Sequence, residues 1–352
     1  MDSRERYVRA LTFDGPDRVP IMHHAVPGAF RAHGPALEEL YERYPSDVLL
    51  SPVTHNPFSF QDHPRGHWAN GAVSHDDWGC GWHWTTPDHM GIAVEHPLED
   101  WGAVATFRAP DPMVGDSGVR HMEETAGPDR GRHFVFADAG EVFQRMFFLR
   151  GYENLLLDLL EDRPEVYALR DIVVDHCLTR INRWHETGLI DGLILRDDWG
   201  SQQSLLVNPR IWRRVFKPAY ARILEAIHAG GAYASFHSDG AIQEIVPDLV
   251  EMGWEELNPQ VHVMDIEELG RLFGGKVCVR ADIDRQWTLP QGAPEDVRNL
   301  VTRLYGAFGS SRGGYVAWGE MNADVPLGNC EALLETASGL HLQVTDESGQ
   351  AR

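Results

Sequence analysis

The sequence contains little cysteine, has a deficit of basic residues and lacks any long hydrophobic run. Its four cysteines form no CxxC pair and are too few for a disulfide framework in a chain of 352 residues. Lysine and arginine number 31 against 53 aspartate and glutamate residues, so the formal net charge is −22. A surface this acidic repels the phosphates of nucleic acids and the headgroups of anionic membranes, which argues against both as partners.

Targeting segments and several catalytic signatures are absent as well. No stretch reaches the roughly 18 consecutive apolar residues of a membrane span, and residues 1–9 alternate in charge where a signal peptide is apolar. We therefore expect a soluble, cytoplasmic protein. The sequence has no P-loop, no HExxH and no GxSxG elbow between a strand and a helix.

What recurs instead is a short apolar run that ends in a polar or charged residue. These runs are residues 18–24, 47–53, 133–138, 191–198, 232–237, 256–260, 277–282 and 314–320. They are typical of parallel strands that are buried on both faces. Helical patterns separate most of them, at residues 152–160, 164–187, 209–228, 242–252, 266–273, 294–308 and 329–342. Eight strands alternating with helices predict an α/β fold, a single (β/α)8 TIM barrel over residues 1–352.

One segment interrupts this alternation. Residues 56–132 lack a clean helical pattern and hold five of the eleven tryptophans. The order Trp82-His83-Trp84 predicts a strand, and hence a small antiparallel insertion between the second and third barrel strands. An insertion there lies over the C-terminal face of a barrel, so we predict a lid or wall in which Trp82 and Trp84 bind substrate. Alternatively, the tryptophans pack a subdomain with little core of its own.

Polar residues at the strand ends predict an active site for a small-molecule substrate. In chain order they are His23, His24, Thr54, His55, Asp138, Asp197, Asp198, His237, Asp239, Gln260, Asp282, Asp284 and Glu320. In a barrel these side chains converge at one mouth. The catalytic candidates are Asp138, Asp198 and His237. The substrate-binding candidates are His24, Trp82, Trp84, Arg196, Gln260 and Asp282. Arg196 and Arg280 can pair with the carboxylates or bind an anionic substrate group.

The segment Phe236-His-Ser-Asp-Gly240 is the clearest candidate for metal binding. Residues two apart on a strand point the same way, so His237 and Asp239 can bind one ion. Glu320 is the predicted third ligand, with Asp198 as the alternative. Carboxylates with one imidazole favour a harder ion than thiolates do. The competing interpretation is a core histidine that is hydrogen-bonded to a neighbouring carbonyl.

The adjacent pair Asp197 and Asp198 has two interpretations. Neighbouring residues of a strand face opposite ways, so one carboxylate faces the barrel mouth and the other packs behind it. A carboxylate buried among others has a raised pKa and can act as a general acid or base. Equally, it can cap the turn that follows.

Several longer motifs resemble the uroporphyrinogen decarboxylase superfamily. They are Asp197–Arg210, Lys217–Pro218, Phe236–Gly240, Ile245–Gly253, Asn258–Gln260, Gly274–Lys276, Asp324–Pro326, Arg4–Leu11, Pro16–Pro20, Asp76–Gly79 and His96–Leu98. The resemblance covers nearly the whole chain and implies a (β/α)8 barrel with its active site at the C-terminal mouth. The stretch His23–Arg31 lacks the arginine- and glycine-rich signature of true uroporphyrinogen decarboxylases. The resemblance therefore implies the cobamide-linked methyltransferase branch.

Members of that branch bind zinc through a His-x-Cys motif on strand five and a cysteine on strand eight. His237 matches the histidine, Asp239 replaces the first cysteine, and Gly319, beside Glu320, stands at the second. The resemblance implies a divalent metal, zinc, on His237, Asp239 and Glu320, and methyl transfer or demethylation of a small methylated compound. It also implies a corrinoid as methyl donor or acceptor, carried by a separate protein.

Two other functions stay open because both cysteines are missing. One is a decarboxylase or lyase that acts on a small carboxylated substrate through Asp198 and His237 without metal. The other is a small-molecule binding protein without catalytic activity.

Overall fold

The computed structural model describes residues 1–50, 71, 73–85, 91–112 and 131–340. Its strands are β1 (Ile21–Ala25), β2 (Val48–Leu50), β3 (Val73–His75), β4 (Gly81–His83), β5 (Ile92–Glu95), β6 (Phe134–Gly140), β7 (Gly192–Arg196), β8 (Tyr233–Ser238), β9 (Glu256–Pro259), β10 (Cys278–Asp282) and β11 (Tyr315–Met321). Its α-helices are α1 (Ser3–Thr12), α2 (Pro27–His33), α3 (Pro35–Arg43), α4 (Phe143–Arg150), α5 (Tyr152–Leu160), α6 (Pro164–Thr187), α7 (Pro209–Val215), α8 (Lys217–Ala229), α9 (Val246–Met252), α10 (Ile266–Phe273), α11 (Thr288–Gln291), α12 (Pro294–Phe308) and α13 (Leu327–Gly339).

Eight of these strands form one parallel sheet in the order β1-β11-β10-β9-β8-β7-β6-β2. Its two edge strands meet at Asp47, whose backbone N–H donates to the Ile21 oxygen over 2.7 Å. The Asp47 carboxylate accepts the Ile21 N–H at 2.8 Å and is neutralised by Arg6 and Arg18, each at 2.7 Å. The sheet is thereby nearly closed. The predicted (β/α)8 barrel is confirmed, with each predicted strand found in the sheet.

The predicted helices are mostly present, with differences at prolines. The predicted helix 209–228 is divided between α7 and α8, because Pro218 lacks an N–H and favours the start of a new helix. Pro247 has the same position at the start of α9, which begins four residues later than predicted. Helices α1 to α4 and α11 were not predicted. Among the described residues, no helix combines the length and the apolar character needed to cross a bilayer.

Strands β3, β4 and β5 form a separate antiparallel sheet in that order, as predicted for the insertion. This sheet packs on the outside of the barrel. Arg145 of α4 donates to Asp76 over 2.8 Å, and the Trp82 ring lies 4.7 Å from that of Phe148. The ring of Trp78 lies 4.5 Å from that of His176 on α6. The described part of residues 56–132 therefore rests on two barrel helices.

The N-terminal end of the barrel is closed by helix α1. Its Tyr7 ring lies 4.6 Å from Phe134 and 5.7 Å from Phe136 in the barrel interior. The Tyr7 hydroxyl donates to the buried carboxylate of Glu256 on β9. The barrel interior is therefore filled with side chains at this end, and a cavity inside the described barrel can lie only at the carboxyl ends of the strands.

Candidate functional site

A polar cavity of about 250 Å³ lies inside the barrel at the carboxyl ends of its strands. This volume is at or below the low end for small-molecule sites, which suits a small substrate. The lining residues are Met22, His24, Leu50, Ile194, Arg196, His237, Asp239, Asn258, Arg280, Arg285, Trp318 and Glu320. The prediction that strand-end residues converge is therefore met by His24, His237, Asp239 and Glu320. Thr54 and His55 lie outside the described residues.

The tautomer of His237 follows from its neighbour Asn258. The Asn258 amide nitrogen donates to the Arg280 backbone oxygen over 2.6 Å, so the amide oxygen is the atom 2.8 Å from His237 Nδ1. An amide oxygen only accepts, so Nδ1 carries the proton. In the neutral imidazole the lone pair then lies on the other ring nitrogen, Nε2, which faces the cavity. Metal-binding histidines are oriented in this way.

Two aspartates flank that lone pair. His237 Nε2 lies 3.7 Å from Asp198 Oδ1 and 3.7 Å from Asp239 Oδ1. One ligand atom from each of the three residues lies within 4.8 Å of the others. Ligands around a tetrahedral ion are about 3.4 Å apart when the metal–ligand distances are about 2.1 Å. Small side-chain shifts would therefore let Asp198, His237 and Asp239 hold a divalent cation.

The two members of the Asp197–Asp198 pair have different roles, as the alternation along a strand predicts. Asp197 is fully buried and accepts the backbone N–H groups of Val142, Phe143 and Gln144, so it caps α4 rather than the turn that follows it. Burial outweighs these hydrogen bonds and raises the pKa of Asp197 to about 7. Asp198 faces the site.

Asp198 is held by two donors. Its Oδ1 accepts the Asp239 N–H at 2.8 Å, and its Oδ2 accepts the Gln144 side-chain amide at 2.7 Å. Burial raises the pKa of this carboxyl, His237 opposes the shift and the Asp239 charge adds to it. Its orientation is therefore fixed toward His237.

Glu320 lies in a different set of contacts from the one predicted. Its Oε2 is 3.2 Å from Arg285 Nη1 and 3.5 Å from His24 Nε2. Burial raises the pKa of this carboxyl, but His24 and Arg285 outweigh burial and bring it to about 2. Arg285 also lies 2.5 Å from Asp239 Oδ1. The structure thus puts the alternative, Asp198, beside His237 and joins Glu320 to a guanidinium.

A family model described as uroporphyrinogen decarboxylase (URO-D) matches residues 81–340, which is most of the chain. The chain belongs to the URO-D family. The resemblance drawn from the sequence motifs is therefore confirmed. No match was found among curated protein sequences.

The fold of this URO-D family member is shared with a solved methyltransferase from Methanosarcina mazei. The two superpose with a TM-score of 0.71 over 96% of this chain and 98% of the other, at 14% identity. An intracellular xylanase from Thermoanaerobacterium saccharolyticum matches with a TM-score of 0.41 at 12% identity, over 87% of this chain and 86% of its own. A xylanase from Gloeophyllum trabeum reaches 0.40 at 12% identity, over 68% and 91%. Only the first of these superpositions is close enough to bear on the fold.

The position of the second family cysteine faces away from the cavity in this URO-D family member. A Cβ atom on Gly319 would lie 2.6 Å from Leu333 Cδ1, so this position packs against α13. Glu320, the next residue, faces the cavity because neighbouring strand residues alternate. A side chain at residue 319 would therefore point away from the cavity and could not supply a ligand there.

Three other predicted site residues have structural partners. Asp138, a predicted catalytic residue, accepts from Arg180 and, at 2.7 Å, from Arg196, so two guanidiniums hold its carboxylate. Gln260 is buried and accepts the Gly240 N–H over 2.8 Å, which braces the loop after β8. Asp282 is buried behind Arg285, whose Nε is 3.6 Å away, and burial raises its pKa well above the usual range.

Trp82 and Trp84 do not lie at the cavity. Both are buried in the main hydrophobic core, where Trp82 donates to Asp76 at 3.1 Å. Trp82 lies on β4 and Trp84 follows the end of that strand, but neither is among the described residues that line the cavity. Trp82 packs on Phe148 of α4, since the insertion needs large apolar side chains to bury itself against the barrel.

Sequence reasoning missed Asn258 and Arg285. Asn258, the penultimate residue of β9, is in register with His237 of β8, so strand pairing would have found it. Arg285 lies in the loop after β10, where no periodicity indicates the direction of a side chain. The cavity-lining Trp318 was also missed, since it precedes the predicted strand end, Glu320, by two residues.

Proposed function

We propose that this protein is a metal-assisted methyl-transfer or demethylation enzyme that acts on a small methylated compound. The observation that carries the proposal is the cluster of Asp198, His237 and Asp239, in which Asn258 holds His237 by its Nδ1 proton and turns Nε2 toward the two aspartates. The methyltransferase that shares the fold supports the same reaction class. We further propose the cytoplasm as its location, because all four cysteines are unpaired and buried.

In this proposal Asp198, His237 and Asp239 hold one divalent ion, zinc being our first choice. A bound ion of this kind supplies a Lewis acid that polarises a heteroatom or lowers its pKa. Carboxylates in place of thiolates leave the ion more electron-poor, which favours an oxygen atom of the substrate. A corrinoid carried by a separate protein would take up or supply the methyl group.

The chain's own residues orient and balance this site. Asn258 fixes the imidazole of His237, and Gln144 fixes the carboxylate of Asp198. Arg285 neutralises Asp239 and Glu320 at the rim, which limits the negative charge that the folded chain must carry there. Small movements of Asp198 and Asp239 toward His237 Nε2 are then sufficient to bind the ion.

A second candidate is a decarboxylase or lyase that uses no metal. The favouring observation is Arg285, which already gives Asp239 a cationic partner. In this alternative, Asp198, with its raised pKa, and His237 Nε2 form an acid–base pair across 3.7 Å.

Metal content and turnover of untagged protein distinguish these candidates. We expect about one divalent ion per chain by emission spectrometry and a higher melting temperature with added zinc. Asp198→Asn should lose the ion and Glu320→Gln should keep it, since only Asp198 faces His237 Nε2. Protein without stoichiometric metal that gains no stability from zinc, yet decarboxylates or cleaves a carboxylated substrate, would replace the first candidate with the second.

A further inference from the structure

The inner wall of the cavity has two layers of different charge. Arg196 pairs with His237 in register, His237 pairs with Asn258, and Arg280 follows the neighbouring Val279–Leu257 pair. All four side chains line the cavity. The residue two positions later in each of these strand-and-loop segments lies nearer the mouth and is acidic or an amide. These residues are Asp198, Asp239, Gln260 and Asp282. A guanidinium thus flanks the His237–Asn258 pair on each side, below a layer rich in carboxylates.

Arg280 is a preorganised cation. Its side chain is only 4% exposed, and its Nε donates to Glu256 Oε1 at 3.0 Å. Glu256 also accepts from Tyr7 and, at 2.6 Å, from Ser235, so its carboxylate cannot turn toward the cavity. Within the described part of the chain, Arg280 Nη1 has no hydrogen-bond acceptor. Its Nη2 donates to Ser235 Oγ over 3.4 Å, so the N–H groups on Nη1 are the ones available to a ligand.

Arg196 adds a surplus of positive charge. It donates through Nη1 to Asp138, and Arg180 donates to the same carboxylate. One carboxylate therefore faces two guanidiniums. The Arg196 side chain is 34% exposed, and no described residue accepts from its Nε or Nη2. Arg285 differs from both, because Asp239 and Glu320 already occupy it.

We propose that Arg196 and Arg280 form an anion subsite at the floor of the cavity and that the substrate carries a carboxylate. Guanidinium groups bind carboxylates through paired, charge-assisted hydrogen bonds. The acidic rim disfavours the same carboxylate near the mouth, which sets the direction in which the substrate enters. This inference rests on the proposed function in one respect, namely that the other end of the substrate carries the methyl group that reacts.

The layer spacing limits the length of this substrate. Two residues along a strand span roughly 6.6 Å, so the carboxylate and the methylated heteroatom at Asp198 and Asp239 are separated by a short chain. The cavity of about 250 Å³ sets the same limit. Ether acids such as methoxyacetate and methoxypropionate have this form, and the alcohols methoxyethanol and methoxypropanol are matched analogues without the charge.

Calorimetric titration of the full-length protein after removal of metal with a chelator tests the subsite. We expect an ether acid to bind at millimolar concentration or better and its alcohol analogue to bind about tenfold more weakly or worse. Arg196→Met should weaken acid binding by a similar factor, because a charge-assisted hydrogen bond is lost. Arg196→Lys should restore part of the affinity. The control Arg303→Met removes a surface arginine paired with Glu267 and should change nothing.

Arg280→Met leaves Glu256 buried without its cation, so the variant to use is Arg280→Met combined with Glu256→Gln. It too should lose acid binding. Equal affinity for acid and alcohol, unchanged binding in Arg196→Met, or no binding of any ether acid would overturn the proposal. The titration contains no metal, so its result is independent of the metal site. If the protein as purified contains no metal and gains no stability from added zinc, but its acid binding still depends on Arg196, only the proposed function is contradicted.

Discussion

Asn258 determines which nitrogen of His237 is available to a ligand. Its amide is fixed by the backbone oxygen of Arg280 at one end and accepts the Nδ1 proton of His237 at the other, over 2.8 Å. The two residues are register partners on β8 and β9. The orientation of the imidazole is therefore built into the pairing of two strands.

Replacing Asn258 by leucine should weaken metal binding. Loss of the oriented acceptor frees the His237 ring to rotate and change tautomer, so zinc affinity should fall about 10–100-fold. The control is Asn329→Leu, which removes another buried asparagine that donates to Leu289 and Gly292 far from His237. Competition with a chromogenic chelator measures both affinities. Equal affinities in the two variants would contradict the role of Asn258.

Replacing Arg285 by methionine should strengthen metal binding. The guanidinium is a cation 2.5 Å from Asp239 Oδ1, where it repels a divalent ion. We expect zinc affinity to rise at least about tenfold, and Arg285→Lys, which keeps the charge, should stay near the original value. Titration with zinc at two ionic strengths is the measurement. A loss of affinity in Arg285→Met would show that the arginine supports the site instead.

A substitution at His237 should affect turnover but hardly stability, whereas a substitution at Leu193 should lower stability. His237→Ala should abolish turnover while the melting temperature changes by only a few degrees. This side chain faces the cavity at the carboxyl ends of the strands and contributes little to the hydrophobic core. Leu193 is fully buried in β7, so Leu193→Ala should cost roughly 2–5 kcal/mol through the cavity that it leaves. Paired melting and turnover measurements test this. If His237→Ala unfolds as readily as Leu193→Ala, His237 is a structural core residue.

Tryptophan emission should report ligand binding through Trp318 rather than through Trp82 or Trp84. Trp318 lines the cavity, and the Arg280 guanidinium lies 5.7 Å from its ring. Saturating methoxyacetate should change the emission of the unaltered protein and of Trp82→Phe but not that of Trp318→Phe. A response that disappears in Trp82→Phe would place the ligand against the insertion.

His23 should make the protein less stable in mild acid. It stacks on Tyr41 at 3.9 Å and donates to the Tyr44 oxygen, and burial lowers its pKa from 6.5 to about 4. The unfolded chain then holds this proton more tightly than the folded one, so the stabilising effect is complete above pH 6.5 and declines as the pH falls toward 4. Urea unfolding over this range should show a shallower decline in His23→Gln. Parallel curves would assign the acid sensitivity to other groups.

The sequence by itself determined the barrel and the positions at which its strands end. Apolar runs buried on both faces have a length and spacing that only a parallel sheet with crossing helices satisfies, so all eight strands were predictable. Alternation along a strand also predicted that only one of Asp197 and Asp198 would face the mouth. These properties depend on near neighbours in the chain, which is why they can be read without the fold.

Only the tertiary structure decided which side chains meet. Asp198 rather than Glu320 stands beside His237, because β7 is paired to β8 while β11 is three strands away, where Arg285 holds Glu320. Arg285 comes from a loop, and a loop has no period from which direction can be inferred. The order Trp82-His83-Trp84 predicts a half-buried strand. Whether the Trp82 side chain faces the cavity or the core depends on where the insertion packs against the barrel. Each of these outcomes depends on distances between segments that are remote in sequence, and such distances are fixed by packing.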